Sequence, residues 1–284
     1  MSNKMGISHA CAGIITGASS GIGKALALEL ARKYKAKLVI TARTESDLER
    51  TKEEVEKRGG EAVTIYGDIG KDDTLPNRLV EACASKFGAV HLIVNNAGLG
   101  ISGAFVKLTP ADWERVFRVN FFAPLYLTYA AMPFFQKQKY GKIVNIASVA
   151  GKIAFPGSVC YAASKFALTG MSEGLAAELT TSGIDVITVC PGWVRTEFFE
   201  KNQIADYKNP TLIAQKNDFK GLLMRYVLSI TPEQVVAGVI KAMEKGGSSE
   251  LIMTGPGIVA ERFKALFPDL LAQLLQRAPI VDNQ

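Results

Sequence analysis

Gly13-Ile14-Ile15-Thr16-Gly17-Ala18-Ser19-Ser20-Gly21-Ile22-Gly23 decides the fold. A short apolar run ends in three glycines spaced G-x-x-x-G-x-G, and a helical pattern opens directly behind them. Glycines at a strand-to-helix turn let the backbone approach a diphosphate, and a helix N-terminus favours that negative charge. A glycine-rich turn that binds nothing has the same composition. The position of this one, in the first strand–helix unit of the chain, argues for the nucleotide.

Outward from that turn, β-branched runs alternate with longer helical patterns. Strands are expected at 13–16, 37–41, 62–67, 91–95, 142–146, 184–190 and 250–254. Most are continuous apolar runs, as in a parallel sheet covered on both faces. Helices are expected near 22–34, 45–58, 72–87, 110–138, 158–181 and 232–245. Thr231-Pro232-Glu233-Gln234 and Thr109-Pro110-Ala111-Asp112 have the spacing of helix starts. The fold class is therefore α/β, a Rossmann-type doubly wound parallel sheet of about seven strands with helices on both faces. No linker or internal repeat divides the chain, so 1–284 reads as one dinucleotide-binding domain. Two stretches stand outside the repeating unit. Residues 193–230 read as a substrate-loop insertion, and 255–284 as a C-terminal helical extension with Leu266, Phe267, Leu270, Leu271, Leu274 and Leu275 at helical spacing.

Composition excludes several classes. The 284 residues are 48% hydrophobic, too apolar for a disordered chain. Thirty-three basic against 27 acidic residues give +6, but no basic block or nucleic-acid motif accompanies the excess. Cys11, Cys83, Cys160 and Cys190 are far apart, and with only two histidines no zinc spacing exists, so no metal is expected. Buried free thiols and the lack of a signal-peptide pattern point to a cytoplasmic protein. The uncharged run 119–136 contains Asn120, Pro124 and Pro133 and is at the short limit for a bilayer span, so a buried helix or subunit interface explains it better.

The second expected strand ends Ile40-Thr41-Ala42-Arg43, about 20 residues after the glycines, where an acidic side chain would accept from ribose hydroxyls. Arg43 instead suits a 2′-phosphate, so NADP(H) is preferred and NAD(H) remains possible. Glu45 or Asp47 could still reach a ribose.

The chemistry lies further along. Tyr161-Ala162-Ala163-Ser164-Lys165 falls in an expected helix, where residues four apart share a face. A phenol near pKa ~10 is a poor acid or base at neutral pH. Lowering it by about three units needs roughly 4 kcal/mol from a neighbour such as an ammonium. Ser148 follows a strand end, where an open α/β sheet places its ligand, and a hydroxyl there can donate to a developing alkoxide. Either feature alone is weak, since a solvated Tyr–Lys pair or a turn serine is common.

Taken jointly, 16–23, Asp68, Asn95-Asn96-Ala97-Gly98, Asn120, Ser148, Tyr161 with Lys165, and Pro191-Gly192 with Thr196 resemble the single-domain short-chain dehydrogenases/reductases, over roughly 10–255. The resemblance implies a catalytic set of Asn120, Ser148, Tyr161 and Lys165. Tyr161 would be the general acid/base and Ser148 would orient the substrate oxygen. Lys165 would hold the nicotinamide ribose and depress the Tyr161 pKa, with Asn120 supporting a proton-relaying water. Implied cofactor contacts are Gly17, Ser19, Ser20, Gly21, Ile22 and Gly23 in the turn, then Arg43. Asp68 and Ile69 follow at the adenine, and Asn95, Ala97 and Gly98 near the fourth strand. Tyr161 and Lys165 lie at the ribose, and Pro191, Gly192, Val194 and Thr196 near the carboxamide. Ser20 stands where NADP users of the family often carry a basic residue, so cofactor choice rests on Arg43.

Segments after the strand ends should face the substrate, a small-molecule carbonyl or alcohol. They offer Leu99, Phe155, Trp193 and Phe198, with Ile101, Phe105, Phe199, Leu222, Leu223 and Met224 beside them, a lining for a hydrophobic ketone or aldehyde. Lys201, Lys208, Lys216 and Lys220 could instead meet an acyl carrier, which would make a 3-oxoacyl-thioester reductase. A non-catalytic dinucleotide sensor on the same fold is the reading from another class. The family further implies a homodimer or homotetramer, with no nucleic acid and no transmembrane segment.

Overall fold

The expected β-branched runs become seven parallel strands in a computed structural model, which describes residues 7–196, 198 and 229–277. They are β1 (Ala12–Thr16), β2 (Lys37–Ala42), β3 (Glu61–Tyr66), β4 (Leu92–Asn95), β5 (Gly141–Ile146), β6 (Ile184–Cys190) and β7 (Ser249–Ile252). Their order in the sheet is β3-β2-β1-β4-β5-β6-β7. Strand order reverses direction between β1 and β4, which opens a crevice at their carboxyl ends.

Alternation along each strand feeds two separate cores. Ile15, Ile40, Val144 and Ile187 point to one face, where α1 (Gly21–Tyr34) and α7 (Pro232–Lys245) bury Leu26, Leu30, Val235 and Val239 against them. Ile14, Ile93, Ile143 and Val186 point to the other, under α3 (Leu75–Phe87) and α5 (Ala123–Gln138) with Leu79, Cys83, Leu127 and Phe135. Each such fully buried side chain contributes about 1.5–3 kcal/mol. Helices α2 (Glu45–Lys57) and α6 (Val159–Glu178) complete the two layers. Lys142 is the one charged side chain fully buried within an apolar strand among the described residues. Register sets it beside Asp185, with Nζ 2.5 Å from Oδ2, so the charge is paired. Losing either partner of such a pair costs about 3–5 kcal/mol.

The helix starts are as the sequence marks them: Thr109 with Asp112, and Thr231 with Gln234, each close a reciprocal capping box. Two long helical expectations need correcting. The 110–138 pattern divides into α4 (Pro110–Phe117), a wider π-helical turn Arg118–Phe122 that buries Asn120, and α5. The tail divides into α8 (Gly255–Leu266) and α9 (Pro268–Gln276), because Pro268 disfavours helical backbone at Phe267. The remainder of that extension, 278–284, lies outside the described residues, as does most of the 193–230 loop. All four cysteines are free and buried, and burial raises their thiol pKa values. No described helix is long and apolar enough to cross a membrane.

Candidate active site

A cleft of about 770 Å³ follows the carboxyl ends of the central strands. Its floor is held by side chains bonded to main chain. Thr16 Oγ1 accepts from the Asn96 and Ala97 amides at 3.0 and 2.9 Å, and Asn96 Nδ2 donates to the Thr16 and Gly17 carbonyls at 2.9 and 3.0 Å. That lock presses β4's exit against the glycine turn. Gly17 has φ +65°, and a Cβ there would stand 2.9 Å from Ala97 Cα. A Cβ on Gly23 would lie 2.5 Å from the Gly17 carbonyl, so Gly23 packs the turn from behind and does not line the cleft.

Ser19, Ser20, Gly21 and Ile22 do line it. Ser20 makes no side-chain cap and the first turn of α1 holds no acidic residue. The opening N–H groups of α1 are thereby left for an anion, which fits the diphosphate of a dinucleotide. At the adenosine end the lining includes Arg43, Asp47, Asp68, Ile69 and Lys71. Asp47 pairs with Arg50 and Asp68 accepts from the Gly70 amide, whereas Arg43 has no carboxylate partner among the described residues. Glu45, in the first turn of α2, is not part of the lining.

At the opposite end β5 and α6 supply the reactive groups. Ser148 caps the short 3-10 turn Val149–Gly151 through its Oγ, which accepts from the Ala150 amide at 3.1 Å, and the same hydroxyl bonds Tyr161. Lys165 Nζ, one helical turn beyond Tyr161, donates to the Ile146 carbonyl at 2.9 Å and sits 5.8 Å from the Tyr161 ring centre. The expected lowering of the Tyr161 pKa is not what the protein alone produces. Burial pushes the phenol up to about 12, with the Ser148 hydrogen bond pulling the other way. Burial brings Lys165 down to about 8. Removal from water is the largest cause of both shifts.

Two of the expected positions turn elsewhere. Asn95, the last residue of β4, is buried and donates to Asn145 Oδ1 at 2.8 Å; strand alternation gives the cleft to Asn96. The Asn120 amide accepts from Leu99 N and donates to the Leu99 carbonyl and Ser164 Oγ, each within 2.9 Å. Its side chain thus ties α6 to the β4 exit. Ala97, Gly98, Pro191, Gly192, Val194 and Thr196 line the cleft with Ser148, Tyr161 and Lys165.

Of the substrate candidates, Leu99, Phe155, Trp193 and Phe198 face the cleft, and the Phe198 ring lies 6.2 Å from that of Tyr161. Ile101 instead packs in a small core with Val116 and Cys160, and Phe105 is exposed outside the cleft. Phe199, Leu222, Leu223, Met224 and the four lysines from Lys201 to Lys220 lie outside the described residues. Sequence reasoning missed Thr254, Pro256, Gly257 and Ala260, which form part of the lining. Their signal was a capping threonine followed by Gly-Pro-Gly at a strand's carboxyl end.

A family model described as short chain dehydrogenase matches residues 12–206. A CLA biosynthesis dehydrogenase/reductase of Lactiplantibacillus plantarum is 35% identical, over 69% of this chain and 70% of its own. A 3-oxoacyl-[acyl-carrier-protein] reductase of Synechocystis is 33% identical, over 66% of this chain and 75% of its own. The crystal structure of a short-chain dehydrogenase from Streptomyces avermitilis superposes with a TM-score of 0.74 at 29% identity, covering 94% of this chain and 95% of that one. The chain belongs to the short-chain dehydrogenase family and is an oxidoreductase of that family.

Proposed function

We propose that this short-chain dehydrogenase uses NADPH to reduce the carbonyl of an apolar ketone or aldehyde, with Tyr161 as proton donor. The observation that carries the reading is the arrangement of one cleft. The same cleft is lined by Ser148, Tyr161 and Lys165, by the apolar Leu99, Phe155, Trp193 and Phe198, and by the glycine turn. The bound nicotinamide would supply the hydride to the carbonyl carbon. The Ser148 hydroxyl donates to the substrate oxygen, and Tyr161 Oη gives that oxygen its proton as negative charge develops, so C=O becomes CH–OH. The phenol recovers its proton from solvent. Burial raises the Tyr161 pKa to about 12, so the phenol is protonated across the physiological range and holds the proton that the developing alkoxide takes. Lys165 holds a cation beside the phenol, and Asn120, through Ser164, ties α6 to the Leu99 segment. Arg43, with no carboxylate partner among the described residues, pairs with the 2′-phosphate.

Reduction of a 3-oxoacyl thioester is the second reading, supported by the relative from Synechocystis. Exposed Phe122, Tyr126 and Tyr129, with Val159 and Phe166 of α6, support work as a homodimer or homotetramer. The buried free thiols support a cytoplasmic setting.

The test is NADPH and NADH oxidation against small aldehydes, long-chain ketones and 3-oxoacyl thioesters. Tyr161→Phe should lower turnover by about 10²–10⁴-fold while NADPH still binds. Unchanged turnover in that variant removes Tyr161 from its role. Cofactor binding without turnover in either direction would instead make the protein a dinucleotide sensor.

A further inference from the structure

We propose that helix α8 is the substrate-sizing wall of the cleft, with Ala260 setting how large an apolar substituent the site accepts. This deepens the reading above and rests on it. The wall stands at the reacting end, as its contacts show. Thr254, which caps α8 by accepting from the Gly257 amide at 3.3 Å, packs on the turn after β6 so closely that a Cβ on Gly192 would lie 2.4 Å from its Oγ1. Gly257 abuts the residue that follows Ser148: a Cβ there would lie 2.7 Å from Val149 Cγ2.

The far end of α8 is also pinned. Lys264 Nζ donates to the Lys152 carbonyl at 2.6 Å and lies 4.8 Å from the centre of the Phe166 ring, while Lys152 pairs with Glu250 at 2.5 Å. Helix α8 is thereby held against the loop carrying Ser148 and cannot retreat cheaply from a larger side chain. Ala260 is three residues beyond Gly257, on the same helical face, and both line the cleft. With Pro256 they present no charge and almost no bulk, in a cleft also lined by aromatic Phe155 and Trp193. Such a surface recognises an uncharged alkyl chain by fit alone. Val259, the preceding residue, is 69% exposed on the outer face.

The test compares a long-chain methyl ketone with butanone. Ala260→Phe should raise KM for the long ketone by about tenfold or more relative to KM for butanone. Ala260→Leu should give an intermediate loss and decides the matter if the Phe variant does not fold. Val259→Phe adds comparable bulk outside the cleft and should change neither ketone. Binding is read independently of turnover from Trp193 fluorescence in a Trp113→Phe background, since these are the only tryptophans. If the unmodified protein turns over both ketones and the Ala260 variants treat them alike, the wall falls and the reductase reading stands. If the long ketone binds without turnover and Ala260→Phe abolishes that binding, the reductase reading falls and the wall stands. Neither binding nor turnover of the long ketone overturns both.

Discussion

Between β1 and β4 the cleft is floored by main chain: the Gly17 turn, the opening of α1, and carbonyls held by Asn96. After β6 it is walled by side chains of the following turn and of α8. The floor is closed on every side, so that even one methyl group on Gly17 or Gly23 meets an atom. The wall becomes less buried with distance from the reaction: α8 buries only Gly257, and α9 buries nothing, leaving Leu270 and Leu274 about half exposed. A floor of backbone reads the part of a ligand that never varies. A wall of side chains can be re-cut by single substitutions without disturbing the sheet, which suits the variable partner.

The sharpest probe of that contrast is Lys165, at the seam. Lys165→Met should lower turnover by about two or more orders of magnitude. Its effect on stability should have the opposite sign. The folded-state pKa of about 8 lies below the ordinary 10.5, so the charge opposes folding below pH 8. That opposition fades as pH rises from 8 to 10.5. Removing the charge should therefore raise Tm at neutral pH, by about 2–4 °C for each kcal/mol recovered. In the unmodified enzyme, reduction should slow as pH rises through about 8 and the ammonium is lost. A flat rate from pH 7 to 9.5 would place the cation's role elsewhere.

Next in size is the adenosine end. Arg43→Ala should weaken NADPH by about 10–100-fold, the worth of a charge-assisted pair, and leave NADH nearly untouched. Titration of both nucleotides measures this, and equal losses would remove the phosphate from Arg43. On the floor itself, Gly17→Ala forces a side chain into left-handed backbone, costing about 1–2 kcal/mol before the contact with Ala97 is counted. Denaturant unfolding should detect that loss together with weaker binding of either nucleotide. The smallest effect belongs to the far wall. Leu270→Ser with Leu274→Ser should shift stability by no more than about 0.5 kcal/mol, because both side chains are about half exposed and α9 has no fully buried residue. A larger loss would mean that α9 is covered in solution, and the contrast between floor and wall would narrow.

All seven strands, both capping boxes and the glycine turn were legible in the sequence. Each depends on neighbours within a few residues: β-branched runs, Thr-Pro pairs, glycines where backbone must turn left. That Ser148, Tyr161 and Lys165 line one cleft follows from a strand end and one helical turn, but the roles expected of them came from the family resemblance, since either feature alone is weak. What periodicity could not register was a change of one residue in helical pitch, so the 110–138 pattern hid the π turn that carries Asn120. Nor could it show that Asn95 turns from the cleft while Asn96 enters it, since that depends on which face of β4 meets Asn145.

Sequence alone thus determined the sheet, its glycine turn and the side chains that the proposed chemistry uses. Tertiary structure alone decided what surrounds them. Residues 148, 161, 192 and 257 meet only after the chain has crossed the sheet repeatedly, and burial on meeting moves the phenol up and the ammonium down. Desolvation belongs to an enclosure rather than to a residue, so no local pattern can carry it.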